Sequence, residues 1–154
     1  MVTVLLKRNF IKVYTKFKLE FYKKIFVNFE KREASLTALE IFSVEVIFAL
    51  KNPTIQEFAN FIGLSSPNAA YRVNSLIKKG YVVKIQSEKD KREYNLEVTD
   101  KFLKYYGLTY EYTEEVIERI RNRFTKEEIE QFETMLGIIS DELMFETKLK
   151  EDEF

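Results

Sequence analysis

Apolar positions along this 154-residue chain recur mainly in steps of three and four, the period of an amphipathic α-helix. The pattern is clearest from Phe10 to Phe29, where lysines occupy the intervening positions, and again from Phe102 to Phe124. Between these stretches, the segment from Leu36 to Leu50 is apolar on most sides. We therefore predict a mainly helical chain with the middle helix at the centre of the core.

Three Thr and Glu pairs predict where helices begin, because in a capping box each side chain accepts a hydrogen bond from the other residue's free backbone N–H. The pairs are Thr37 with Glu40, Thr54 with Glu57, and Thr125 with Glu128. The second pair opens a short helix that Gly63 should end as a left-handed cap. Ser66 is then the expected N-cap of the next helix, with Pro67 at its first position and Gly80 at its end. Two short helices joined by so tight a turn predict a helix-turn-helix.

After Gly80 the apolar period changes from helical to alternating, which predicts two strands. The alternating residues are Val83, Lys84, Ile85 and Gln86 in the first strand, and Tyr94, Asn95, Leu96, Glu97 and Val98 in the second. The segment SEKDKRE between them is polar and strongly charged. Two strands joined by a charged turn directly after a helix-turn-helix predict a β wing.

The carboxyl-terminal third is predicted to be helical, beginning at Thr99 and Asp100, with Gly107 and Thr113 as candidate interruptions. Its last helix carries a narrow apolar stripe in alternating steps of three and four, formed by Ile129, Phe132, Leu136, Ile139 and Leu143. Such a stripe packs against another long helix, from the same or a second subunit, and we predict that it forms a dimer interface. The predicted organisation is an N-terminal dimerisation helix (1–34), a winged helix-turn-helix domain (35–100) and C-terminal dimerisation helices (101–154).

Composition removes several classes of function. The chain has no cysteine and no histidine, and therefore lacks the usual residues for a zinc site, a cysteine redox switch or most nucleophilic catalysis. Its four glycines stand alone, which leaves no phosphate-cradling loop. We predict no enzyme activity, no cofactor and no metal. The apolar start is interrupted by Lys7 and Arg8, too early for a signal peptide or a membrane span, and the expected location is the cytoplasm.

The formal net charge is zero, but the charges are unevenly distributed. Residues 1–35 carry a net charge of +6 and residues 66–92 of +5, whereas residues 111–154 carry −8. Electrostatic attraction acts over a Debye length of about 8 Å at physiological salt, so the local excess matters more than the total. The basic middle of the chain predicts a nucleic-acid contact.

The order of elements and several residues resemble the MarR (multiple antibiotic resistance regulator) family of winged-helix repressors. The segment DKREYNLEVT at 90–99 is similar to the family's wing signature, here Asp90, Arg92, Leu96, Val98 and Thr99. Leu64-Ser65, Leu76 and the run from Lys79 to Val82 match its recognition-helix segment in spacing. The specific part of the resemblance is confined to residues 54–100. Family members that sense zinc or peroxide use histidine, carboxylate or cysteine ligands. This chain has no histidine and no cysteine, so that sensing chemistry cannot be carried over to it.

A helix in the major groove offers its amino-terminal side chains to base edges, and the resemblance implies that the arginine of the wing enters the minor groove. The predicted DNA-binding residues are Ser65, Ser66, Pro67, Asn68, Tyr71, Arg72, Lys84, Lys89, Asp90, Lys91 and Arg92. Asp90 is expected to hold the wing through an ion pair, while Lys78 and Lys79 need do no more than favour the end of their helix. The alternative interpretation is that Asn68 only caps the helix and that the charged residues are solvated surface.

The aromatic side chains of the flanking helices have two interpretations. As the resemblance implies for many relatives, they could line a pocket for a small apolar or phenolic effector; otherwise they form ordinary core and dimer packing. The residues concerned are Tyr14, Phe17, Phe21, Tyr105, Tyr106 and Tyr112. The leading prediction is a homodimeric repressor that binds a pseudo-palindromic operator in double-stranded DNA. The alternative is a winged-helix module that binds another protein and no DNA, which the local basic excess disfavours.

Overall fold

The computed structural model describes residues 2–29, 36–88, 90–106 and 108–150, with side chains described except at positions 2, 28, 29, 105, 106 and 108–110. Its elements in chain order are α1 (Val2–Phe29), α2 (Ala38–Ala49), α3 (Ile55–Ile62), α4 (Ser66–Lys78), β1 (Val82–Gln86), β2 (Tyr94–Val98), α5 (Asp100–Tyr106), α6 (Leu108–Arg123), α7 (Lys126–Ile138) and a π-helical turn (Ile139–Leu143). The predicted fold class, mainly α with a small β wing and flanking terminal helices, is confirmed.

All three predicted capping boxes are present, at the starts of α2, α3 and α7. Gly63 ends α3 with a φ of 67°, in the left-handed region that glycine tolerates. The predicted start of α4 was wrong by one residue. Ser65 is the N-cap, because its backbone is extended and its carbonyl accepts the first helical hydrogen bond from Ala69. Ser66 is the first helical residue, and Pro67 takes the second position.

The chain divides into two compact units. The winged-helix unit comprises Glu33–Tyr105 and Leu149–Phe154, and the terminal-helix unit comprises Met1–Arg32 and Tyr106–Lys148. The winged-helix unit has a dense apolar core to which α2, α3, α4, the wing and α5 all contribute. Its fully buried large side chains include Ile41, Ile47, Phe58, Val73, Leu76, Tyr81, Val82, Leu96 and Phe102.

The wing is an antiparallel pair in which Val82 lies opposite Val98 and Lys84 opposite Leu96. It is attached to the residues that precede α3, since the Leu96 N–H donates to the Pro53 carbonyl at 2.7 Å. Val82 and Leu96 face the core and are buried, whereas Val83 and Ile85 on the other side of β1 are exposed. The alternating pattern thus predicted the strand, and the structure shows which apolar set is inward.

In the terminal-helix unit, α1 packs on α6, and the rings of Phe17 and Tyr112 meet edge to face at 5.4 Å. The α-helix of α7 ends at Ile138, and Ile139 and Leu143 belong to the π-helical turn that follows. The regular α-helical stripe predicted through Leu143 is therefore wrong in its last part, because the extra residue in a π turn shifts the side chains that follow it. The predicted interruption at Gly107 lies outside the described residues, between the end of α5 and the start of α6.

In the part of the chain that the structure describes, no helix is both long enough and apolar enough to span a bilayer.

Candidate nucleic-acid interface

Helix α4 has a buried and an exposed side. Ala69, Val73 and Leu76 are fully buried and attach the helix to the core. Pro67, Asn68 and Tyr71 are exposed, with 81% of the Tyr71 side chain accessible, and Arg72 is half-buried at the edge of this side. The spacing of the three buried residues dictates the division, because positions three, four and seven apart share one side of a helix. The side chains predicted to reach DNA therefore point away from the core.

The amino-terminal end of α4 is held by α3. The Ser66 hydroxyl donates to the Gln56 side-chain oxygen at 2.7 Å, and the Gln56 amide donates to Asn60. Ser65 makes no side-chain capping bond, so its exposed hydroxyl lies beside the N–H groups of the first helical turn. Backbone donors at a helix start attract phosphate oxygens, and this arrangement suits a phosphate contact at Ser65.

The carboxyl-terminal half of α4 is held by Glu40, a role that sequence reasoning missed. The Ser75 hydroxyl donates to Glu40 Oε1 at 2.8 Å, and the Lys79 ammonium donates to Glu40 Oε2 at 2.7 Å. Burial raises the pKa of the Glu40 carboxyl, but hydrogen bonds from Lys79, Thr37 and Ser75 outweigh that effect and lower the pKa to about 2. The capping box identified Glu40 as a helix-start residue. Nothing in the sequence signalled a partner 39 positions away.

The same side of α4 borders a groove of about 340 Å³. Glu40 and Arg72 both line it, but Arg72 forms no ion pair with any described residue. The other lining residues are Thr37, Leu39, Leu64, Asn68, Tyr71 and Ser75. Because Lys79 neutralises the Glu40 carboxylate, the guanidinium of Arg72 is available for an external anion.

The wing turn is organised by Asp90, although not in the way predicted. Its carboxylate accepts a hydrogen bond from the backbone N–H of Arg92 at 2.9 Å, and its carbonyl accepts from the Glu93 N–H. No ion pair joins Asp90 to another described residue, so the expected ion pair is corrected to an Asx-type turn. Asp side chains stabilise tight turns in this way because they accept from a backbone N–H two residues ahead.

The cationic side chains of the wing project from this turn. Lys84, Lys91 and Arg92 are exposed, and the Lys91 carbonyl accepts from the Gln86 amide at 2.6 Å. Lys89 lies outside the described residues. The structure thus brings the α4 residues together on one stripe and the cations of the wing together on another. Among the described side chains, no hydrogen bond or ion pair links the two groups, as expected when each contacts a separate part of a duplex.

Of the predicted dimer-interface residues, Ile129 and Ile139 are half-buried, while Phe132, Leu136 and Leu143 are exposed. Ile129 and Phe132 line an apolar groove of about 370 Å³ between α6 and α7. No residue of α7 is buried, so this stripe is not covered by the described part of its own chain.

The predicted effector residues do not behave as one group. Phe17 and Tyr112 pack against each other, Phe21 is half-buried beside Tyr22, and Tyr14 is exposed with the Lys18 ammonium 5.2 Å from its ring centre. The side chains of Tyr105 and Tyr106 lie outside the described part of the chain. The observed contacts are of the kind that ordinary helix packing makes.

A comparison with known families identifies the winged-helix segment. Residues 36–94 match the model of the MarR family, a span that includes α2, the helix-turn-helix, β1 and the turn of the wing. The winged-helix segment of this chain is therefore similar to that of the MarR family. Proteins of this family are transcription regulators rather than enzymes. No curated protein matches the chain.

Solved structures show that the MarR-like fold extends over nearly the whole chain. A MarR family protein from Bacillus stearothermophilus has a TM-score of 0.61 at 15% identity, covering 93% of this chain and 96% of its own. A transcriptional regulator from Thermotoga maritima has a TM-score of 0.58 at 20% identity, covering 93% and 98%. FabT from Streptococcus pneumoniae, solved in complex with DNA, has a TM-score of 0.57 at 19% identity, covering 92% and 99%. At these identities the likeness establishes the fold.

Proposed function

We propose that this protein is a transcription regulator that binds a specific sequence of double-stranded DNA as a homodimer. The observation that carries the proposal is a MarR-family winged helix whose recognition helix turns Asn68 and Tyr71 outward. In this proposal Asn68 pairs with adenine, and Arg72 pairs with guanine or a phosphate. FabT, which shares the fold, was solved in complex with DNA, and this supports DNA binding by the present chain.

The wing supplies the second contact in this proposal. Arg92 stands on a turn that Asp90 holds from within, and it inserts into the minor groove, where a narrow groove attracts arginine. Lys84, Lys89 and Lys91 add attraction to phosphates that does not depend on sequence. Ser65 and Ser66 contact a phosphate at the start of α4, and Pro67 contacts the adjoining groove surface.

The terminal helices form the dimer. The exposed apolar stripe of α7 and the exposed apolar residues of α1 leave an uncovered surface that soluble monomers rarely tolerate, and a second copy would cover it. The proposed interface includes Ile129, Phe132, Leu136, Ile139 and Leu143. Two recognition helices in successive major grooves require half-sites about 10 base pairs apart, so the operator is a pseudo-palindrome.

The most economical regulatory outcome is repression, in which the bound dimer blocks the polymerase. A small apolar or phenolic effector would act by favouring a dimer that cannot reach both half-sites at once. The aromatic side chains of α1 and α6, including Tyr14, Phe17 and Tyr112, are the candidate lining.

The test is selection of bound duplexes from a random DNA pool, followed by titration of the selected duplex and a shuffled duplex at two salt concentrations. The expected result is a pseudo-palindromic consensus, a preference of at least about 10³-fold over the shuffled duplex, and affinity that falls as salt rises. Sedimentation should give two chains per duplex. Absence of any consensus, together with equal and weak affinity for both duplexes, would leave the protein-binding alternative.

A further inference from the structure

The residues that face DNA on α4 share one stripe with the residues that anchor the helix. Asn68, Arg72, Ser75 and Lys79 follow each other at spacings of three and four, so they lie along one side of the helix. The first two are predicted to touch DNA, and the last two are bound to Glu40. The contact surface and its anchor are therefore neighbouring parts of one helical row.

The contacts of Glu40 allow it to hold α4 in place. Its side chain is only 12% exposed, and both carboxylate oxygens are occupied: Oε1 by the Ser75 hydroxyl, and Oε2 by the Lys79 ammonium and the Thr37 backbone N–H. The Thr37 contact closes the capping box at the start of α2, whose Ile41, Val44 and Ile47 are buried in the core. The carboxylate thus joins a fixed helix to two points one turn apart on α4.

Two contacts one turn apart restrain rotation of a helix about its own axis. Side chains end about 5–6 Å from that axis, so a rotation of 15° would move a contact atom by roughly 1.5 Å. Functional side chains must be held within about 0.5 Å and 10–20° of their working geometry. Loss of the anchor would therefore disturb base contacts before it disturbed the fold.

We propose that Glu40 is a positioning residue for the DNA-binding surface: by holding Ser75 and Lys79 it fixes the rotation of α4, and with it the placement of Asn68 and Arg72. The inference rests on the proposed function. It assigns Glu40 no contact with DNA; the carboxylate acts through α4 and determines sequence preference rather than general affinity.

Charge balance has a second consequence, because Glu40 and Arg72 line the same groove. In Lys79→Met the Glu40 carboxylate would lose its ammonium partner and become free to attract Arg72 and repel phosphate. Neutralising it, in the double variant Glu40→Gln with Lys79→Met, should recover much of the affinity lost by Lys79→Met alone. A simple loss of one cation would give no such recovery.

The experiment compares Glu40→Ala, Ser75→Ala, Lys79→Met and the double variant on two duplexes, the one that wild type selects from a random pool and a shuffled one of equal length. Glu128→Ala is the matched control, since Glu128 has the same capping-box role at the start of α7, which belongs to the terminal-helix unit. Glu40→Ala should lower affinity for the selected duplex at least 10-fold and for the shuffled duplex less than 3-fold. The ratio of the affinity for the selected duplex to the affinity for the shuffled duplex measures sequence preference. Ser75→Ala should lower this ratio 2-fold to 5-fold, and Glu128→Ala should leave it unchanged.

A thermal melt shows whether each variant is folded. Partial unfolding would reduce the affinities for both duplexes by the same factor, whereas loss of positioning would change the ratio between them. If Glu40→Ala does not fold, Ser75→Ala decides the question, and an unchanged preference for the selected duplex in folded Ser75→Ala overturns the positioning role. An unchanged ratio in folded Glu40→Ala, or an equal fall in Glu128→Ala, overturns the positioning role while the proposed function stands. If wild type itself prefers no duplex, the proposed function fails first and the inference fails with it.

Discussion

The two units of this protein use apolar residues in opposite ways. In the winged-helix unit they form a closed core, with side chains such as Val44, Phe58 and Leu96 entirely removed from solvent. In the described part of the terminal-helix unit only Ile25 is buried, while Leu6, Phe26 and Leu143 are each more than 60% exposed. The helices of both units carry apolar residues at spacings of three and four, so helical periodicity alone does not reveal whether a helix completes its core within one chain. The difference supports the proposed dimer, in which one unit binds DNA and the other binds a second copy.

The largest expected effect tests the closed core. Leu76→Ala removes a fully buried side chain and should lower the free energy of unfolding by about 2–5 kcal/mol, because it leaves a cavity in a close-packed interior. Leu19→Ala in α1, where the side chain is 57% exposed, should cost less than about 1 kcal/mol in dilute, monomeric protein. Urea denaturation monitored by circular dichroism measures both. Equal costs would contradict the contrast between the units.

The next effect tests the open surface. Leu136→Glu places a charge on the exposed stripe of α7 and should dissociate the dimer, because a buried, unpaired charge is strongly unfavourable. Operator affinity should then fall at least about 100-fold, or about 3 kcal/mol. Thr134→Glu, an exposed position on the opposite side of α7, is the matched control. Sedimentation equilibrium should show monomers for Leu136→Glu and dimers for Thr134→Glu.

DNA contact should be separable from dimerisation. Arg92→Ala should weaken operator binding by about 1–3 kcal/mol, and Arg72→Ala by a similar amount, if each contacts a base. Replacing a phosphate-contacting lysine of the wing, Lys89 or Lys91, should instead reduce the salt slope by about one. All four variants should remain dimeric when measured by sedimentation. Unchanged affinity and unchanged salt slope in a fluorescence titration would remove these side chains from the proposed DNA contact.

The last effect concerns pH. Burial raises the pKa of Glu45 in α2 from its ordinary 4.5 to about 7, so the folded chain holds this proton more tightly than the unfolded chain does. The stability contribution is therefore present below about pH 4.5 and is lost as pH rises through about 7.

Glu45→Gln should accordingly be more stable than wild type at pH 8, by about 1–3 kcal/mol, and similar to it near pH 4. Thermal melts at the two pH values measure the difference. Glu133→Gln in the terminal-helix unit, where the side chain is exposed, should show no such dependence. A wild-type advantage at pH 8 would rule out this account of Glu45.

Much of the fold was predictable because its signals are local. A capping box needs only Thr37 and Glu40 on neighbouring turns, and Gly63 has to satisfy only its own backbone angles. The wing was likewise evident from alternation over a few residues. The start of α4 was misplaced by one residue because Ser65 and Ser66 are equally good caps by type; in the structure the Ser66 hydroxyl donates to Gln56 on α3, a contact that residue type alone does not predict.

The sequence by itself determined the capping-box starts of α2, α3 and α7, the position of the wing and the basic character of the middle section, since capping, propensity and charge are properties of neighbouring residues. Only the tertiary structure decided that Glu40 anchors Ser75 and Lys79 and that Val82 rather than Val83 faces inward. These outcomes depend on which distant surfaces meet, and on how much water the meeting excludes. Neither the contacting surfaces nor the amount of excluded water can be predicted from the spacing of residues along a chain.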